Sequence, residues 1–119
     1  MKRAVISEEL LELMAEKFRM LSDPTRLAVL RALMAEGEMN VSQLVAATQR
    51  SVANVSKHLK LLADAGLLTR QKHGSFVLYR LEDPIIAKMC ELVCSSLQRE
   101  FEAQLRRSRR LLQKRSHDT

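Results

Sequence analysis

Between residues 40 and 81 the spacing of apolar residues changes character within one short span, and few folds accommodate that change. "NVSQLVAAT", Asn40 to Thr48, has the length and composition of a short helix. Two residues later "SVANVSKHLKLLADAGLL" begins another, with Ser51 placed to cap its start and Gly66 to end it. Val55, Leu59 and Leu62 recur at helical spacing and are expected to face inward. The period then drops to two. Leu68, Arg70 and Lys72 alternate with Thr69, Gln71 and His73, and Val77, Tyr79 and Leu81 alternate with Leu78 and Arg80. These two runs, rich in β-formers and centred on His73-Gly74-Ser75, predict a two-stranded hairpin. Two helices joined by a tight turn over 40–65, followed directly by a hairpin over 67–81, make a helix-turn-helix with a wing.

Three more helices are predicted around this unit. Over 7–22, Leu10, Leu13, Met14, Phe18 and Leu21 form an apolar stripe, Ser7 is placed as N-cap, and Glu8 and Glu9 suit the positive end of the helix dipole. Asp23-Pro24 opens the second helix and Gly37 stops it. Asp83-Pro84 repeats the same start for a long last helix over 84–112, after which "KRSHDT" is expected to fray. The fold class is therefore mainly α with a small β-hairpin, in the order α-α-α-α-β-β-α, and 119 residues without an internal repeat suit one domain over 1–119.

Composition narrows the function. The net charge of +6 favours a polyanionic partner. From Gln49 to Arg80 there are six Lys/Arg and one acid, Asp64, whereas the first 38 residues hold six basic and seven acidic residues. Positive charge is thus gathered on the helix-turn-helix and wing, which points to double-stranded DNA. Aromatic content of 3% with no Trp argues against stacking on single strands. No run approaches the length of a membrane span, and Glu8, Glu9 and Glu12 break up any leader-like apolar stretch. Two cysteines are too few for a disulfide scaffold, so a reducing, cytoplasmic location is expected. No phosphate-binding Gly loop or nucleophile motif is present and the three His are scattered, so no enzyme, catalytic residue or cofactor is expected.

Three stretches carry a family resemblance. "LSDPTRLAVLRAL", "NVSKHLKLLADAGLL" and "HGSFVLYRL" resemble the ArsR/SmtB family of bacterial transcriptional repressors, across roughly Leu10 to Leu97. The resemblance implies a homodimeric winged helix-turn-helix repressor. Its first and last helices would form the dimer interface, and its fourth helix would enter the major groove of operator DNA.

A recognition helix offers its N-terminal turns to base edges. Those turns carry Val52, Ala53, Asn54, Ser56, Lys57 and His58. Asn54 suits bidentate contact with adenine, Val52 and Ala53 a thymine methyl, and Lys57 a guanine or a phosphate. Ser56, His58 and Lys60, with Arg50 in the turn, are expected on the phosphate backbone, while Thr48, Gln49 and Ser51 are placed to add hydrogen bonds. In the wing the candidates are Arg70, Lys72, His73 and Arg80, with the strand register open. The basic run "RRSRRLLQKR" near the end reads as a solvated helix terminus. A rival from another class is a winged-helix module that binds protein instead of DNA.

Metal positions implied by the resemblance are empty in this sequence. Where some members carry Cys-x-Cys on the third helix, "EMNVSQL" has Asn40 and Ser42. On the last helix Asp83 stands at an acidic position, but Ile85, Ser96 and Arg99 fall where further ligands belong. One carboxylate per subunit cannot hold zinc, so no metal is expected. Cys90 and Cys94 remain, on one helix face. Cys90 falls in the stripe Ile86, Cys90, Val93, Leu97 and Phe101, and Cys94 borders it. Packing is one reading of the pair. The other is thiol sensing, of a soft metal or metalloid or of oxidation. A disulfide within the helix is the weakest form of that reading, because i,i+4 Cβ atoms stand too far apart. The inducer itself is not named by any residue.

Overall fold

The computed structural model describes residues 5–117. Five helices and three short strands follow in the order α1 (Glu8–Met20), α2 (Pro24–Glu36), β1 (Glu38–Met39), α3 (Val41–Thr48), α4 (Val52–Asp64), β2 (Leu68–His73), β3 (Phe76–Leu81) and α5 (Pro84–His117). The mainly helical plan with a wing is as expected.

Helix starts are set locally. The Ser7 hydroxyl accepts from the Leu10 N–H at 3.1 Å, and the Asp23 carboxylate from the Arg26 N–H at 3.0 Å. Asn40 and Gln43 form a reciprocal capping box, each bond 2.8 Å, and Ser51 accepts from the Asn54 N–H at 3.1 Å. Each of these bonds answers a backbone N–H that the helix itself cannot satisfy.

The hairpin belongs to a three-stranded antiparallel sheet in the order β1-β3-β2, where two strands were expected. Glu38 pairs with Arg80 and Met39 with Tyr79. A strand of two residues is too short to show a period, which is why the pattern concealed it. Gly37, at φ 89°, redirects the chain from α2 into β1. Gly74, at φ 60°, is the first residue of the two-residue turn between β2 and β3.

The last helix runs to His117, five residues beyond the expected end at 112. No Gly or Pro interrupts "QKRSH", and Lys114, Arg115 and His117 lie favourably at the negative end of the dipole. The expected fraying of "KRSHDT" therefore fails for Lys114–His117. Asp118 and Thr119 lie outside the described residues, as do Met1–Ala4.

The chain falls into two compact units that divide between Pro84 and Ile85. In the first, the core is built by Val29, Leu30 and Leu33 of α2, Leu44 of α3, Val55, Leu59 and Leu62 of α4, and Leu67 with Leu68 at the entry to the wing, all buried. Each such Leu or Val contributes about 1.5–3 kcal/mol relative to exposure. The stripe of α1 is different: Leu13 is 68% and Phe18 51% exposed. The second unit is a single helix. Ile86 is buried, while Val93, Leu97 and Phe101 on the same stripe are exposed.

Candidate nucleic-acid interface

The turn that separates α3 from α4 is held by three devices. Gln49 takes a left-handed conformation, φ 56° and ψ 35°, and its N–H closes α3 on the Val45 carbonyl at 2.9 Å. Arg50 reaches inward: Nε donates to the Thr25 hydroxyl and a terminal nitrogen to the Thr48 carbonyl, both at 3.1 Å. Ser51 then caps α4. Arg50 thus ties the turn to α2 and is half-buried, a different placement from the phosphate contact expected of it. Thr48 is also turned away from solvent, its buried hydroxyl donating to the Leu44 carbonyl at 2.7 Å.

Beyond the turn the first two turns of α4 stand clear. Val52 is 60% exposed; Ala53, Ser56 and Lys57 are exposed and Asn54 half-buried. No acidic residue occurs between Gln49 and Asp64, so the whole exposed end is neutral or positive. Six of the expected residues (Ser51 to Asn54, with Ser56 and Lys57) come together here. Lys60 lies farther along and pairs with Asp64 at 3.2 Å, both side chains well exposed.

His58 is a correction. It was expected on the phosphate backbone, but its side chain is buried. Nδ1 lies 3.2 Å from a terminal nitrogen of Arg26, and Nε2 lies 3.9 Å from the Asp23 carboxylate. The signal was present: Val55, His58, Leu59 and Leu62 occupy i, i+3, i+4 and i+7, the buried face of an amphipathic helix. Arg26 is the residue that sequence reasoning passed over. Nothing in its spacing distinguishes it from any polar residue in a first turn.

The wing's register is now defined. Leu68 faces Leu81, Arg70 faces Tyr79 and Lys72 faces Val77; Thr69 faces Arg80, Gln71 faces Leu78 and His73 faces Phe76. Directly paired residues share a face. Arg70 and Lys72 therefore lie on one face of the wing, and His73 and Arg80 on the other. Arg80 sits at the wing's base, 3.7 Å from the Glu38 carboxylate and 3.8 Å from that of Glu82. Two nearby carboxylates offset its charge, which sets it apart from the other wing candidates. Phe76 is exposed beside the turn and was not anticipated.

Cys90 is half-buried and Cys94 exposed, and both are free thiols. Burial pushes the Cys90 thiol up from its ordinary pKa, and the neighbouring Cys94 adds to the shift. Asp83 forms an ion pair with Lys17 at 3.2 Å. Among the described residues, no three His, Cys, Asp or Glu side chains group closely enough to share a metal ion. No helix among them is long and apolar enough to cross a membrane.

Known proteins share this arrangement. Residues 21–71 match a family described as a helix-turn-helix domain. The arsenical resistance operon repressor of Escherichia coli K12 is 38% identical over 76 residues, which is 64% of this chain and 65% of that protein. The match thus spans just under two thirds of that relative's length. The crystal structure of AntR, an antimony-specific transcriptional repressor, is similar with a TM-score of 0.77 and 30% identity, over 85% of this chain and 91% of the other. The homodimeric winged helix-turn-helix DNA-binding domain Mb0332 of Mycobacterium bovis, a possible ArsR-family regulator, is similar with a TM-score of 0.71 and 26% identity, over 84% and 92%. In sequence and in fold, the chain belongs to the ArsR/SmtB family of winged helix-turn-helix transcriptional regulators.

Proposed function

We propose that this chain is a sequence-specific DNA-binding repressor, a regulator and not an enzyme, that acts in the cytoplasm as a homodimer on double-stranded operator DNA and is released by an inducer. The observation that carries the reading is the exposed N-terminal end of α4, with Asn54 and Lys57 free of any acidic neighbour in sequence. The contact set is Gln49, Ser51, Val52, Ala53, Asn54, Ser56 and Lys57, with Lys60 toward phosphates and Arg70, Lys72 and His73 from the wing. Arg50 and His58 drop out of it because both are turned into the protein, and Arg80 because two carboxylates flank it where Lys60 has one. The exposed stripes of α1 and α5 support dimerisation through these two helices within a single functional domain. For Cys90 and Cys94, the raised Cys90 pKa supports packing over a reactive thiolate.

A promoter fragment titrated at several salt concentrations tests the reading. Phosphate neutralisation makes affinity fall steeply and linearly in log salt. Asn54→Ala and Lys57→Ala are each expected to cost about 1–3 kcal/mol of binding with the helical fold intact, Asn54→Ala by relaxing base preference at one position. Unchanged affinity in both variants would remove α4 as the reading helix. Binding without a salt slope would favour the protein-interaction module. Half-site centres about 34 Å apart, or a multiple of that, are expected for a two-fold dimer.

A further inference from the structure

We infer that His58 is a positioning residue for DNA binding: in its neutral form it accepts a hydrogen bond from Arg26 that holds α4 in its reading pose, and protonation of the ring releases that hold. The inference rests on the DNA-binding reading above. It starts from one guanidinium with an unusual number of commitments. Nε of Arg26 donates to the Met20 carbonyl at 2.8 Å and one terminal nitrogen to the Arg19 carbonyl at 3.1 Å. Both carbonyls lie at the C-terminal end of α1, where the helix leaves its acceptors unsatisfied. The other terminal nitrogen lies 3.2 Å from His58 Nδ1. Arg26 therefore joins the end of α1 to the buried face of α4 while sitting in the first turn of α2.

That contact decides the state of the ring. A guanidinium only donates, so Nδ1 must accept and cannot carry a proton. The ring proton then sits on Nε2, which lies 3.9 Å from Asp23 Oδ1. Asp23 is itself fixed as a carboxylate: the Arg26 backbone N–H holds its pKa below the ordinary value, and His58 and the Arg26 charge act in the same direction. A second ring proton would land on Nδ1. Two donors, both cationic, would then face each other at the distance of a hydrogen bond.

Losing the contact frees the His58 side of α4 from Arg26, which its two carbonyl bonds keep at the end of α1. Lys57 is the preceding residue, and Asn54 lies one turn earlier on the same helix. The remaining charges do not replace the lost contact. The α3 helix has no charged residue. Arg50 is committed to Thr25 and Thr48, and the Arg19 side chain to Glu16 at 2.7 Å. Lys57 and Lys60 on α4 itself are exposed, and so are Arg70, Lys72 and His73 of the wing. Among the described residues, Asp23 alone pairs with the ring and offsets part of the new charge.

The test measures operator affinity from about pH 8 to about pH 5.5 at constant salt. It is done in a His73→Gln background, because a protonated wing histidine would add attraction to phosphates. Affinity is expected to fall about tenfold across this range. His58→Gln, whose amide stays neutral throughout, is expected to bind within about threefold of the parent at pH 8 and to lack the fall. Parallel pH profiles for parent and His58→Gln would overturn the inference. A second readout needs no variant: ring ¹⁵N resonances of the intact protein at pH 8 should show Nδ1 bare and Nε2 protonated. A proton on Nδ1 would overturn the inference even if the profiles diverge. Failure to bind any promoter fragment at pH 8 would strike the DNA-binding reading and this inference with it, whereas parallel profiles with binding intact would strike this inference alone.

Discussion

Helices α1 and α4 are both 13 residues long, both begin at a capping serine and both carry an apolar stripe. Their fates differ. Val55, Leu59 and Leu62 of α4 are fully buried, whereas Leu10, Leu13, Met14 and Phe18 of α1 are exposed. An apolar stripe therefore declares that a helix needs a partner without saying which molecule provides it. For α4 the partners are α2, α3 and β2 of the same chain. For α1 the stripe stays open along most of its length, which is the pattern expected of a face completed by a second copy.

The contrast can be broken most forcefully from its buried side. Leu59→Ala should cost about 2–5 kcal/mol, because the removed methyl groups leave a cavity in a packed site. The expected result in a denaturant titration is a lower midpoint at every protein concentration. A loss under about 1 kcal/mol would mean that α4 is far less firmly seated than its burial indicates.

The exposed side gives a smaller effect on folding of the protomer and a different signature. Leu13→Asp should leave that folding within about 1 kcal/mol, as surface substitutions do, yet abolish the proposed dimer in sedimentation. A variant that remains dimeric at the parent's concentration would place the interface elsewhere.

The smallest effect belongs to the cap that joins the two regions. The folded-state pKa of Asp23 lies below its ordinary 3.8, chiefly through the hydrogen bond from the Arg26 N–H. Its contribution is complete above that ordinary value and disappears as pH falls through the lower folded one. Asp23→Asn should accordingly flatten the acid limb of the stability profile below about pH 4 while leaving its neutral region little changed, since Asn also caps helices well. An unaltered acid limb would show that other carboxylates govern it.

Much of this was legible because the relevant chemistry is local. Ser7, Asp23 and Ser51 act within four residues of themselves, and Gly66 and Gly74 act on their own backbone. The period of two around His73 could be read for the same reason. What could not be read depends on contacts distant in sequence. The β1 strand exists only because β3 accepts it some forty residues later, and Arg80 has Glu38 as a neighbour only through that pairing. Charge points Arg50 outward, but Thr25 offers an acceptor that no local pattern reveals. His58 is the instructive exception. Its spacing marks it as inward while its polarity points outward, and a buried histidine with two polar neighbours is an ordinary way to satisfy both.

The open stripe of α1 has a consequence for abundance. A chain whose apolar face closes only against its own kind is stabilised by mass action, so its resistance to unfolding rises with the amount present. For the dimeric repressor proposed above, growth that dilutes it would weaken occupancy of the operator and, in the same step, expose the remaining copies to proteolysis. Removal of the last copies then becomes faster than the removal of the first.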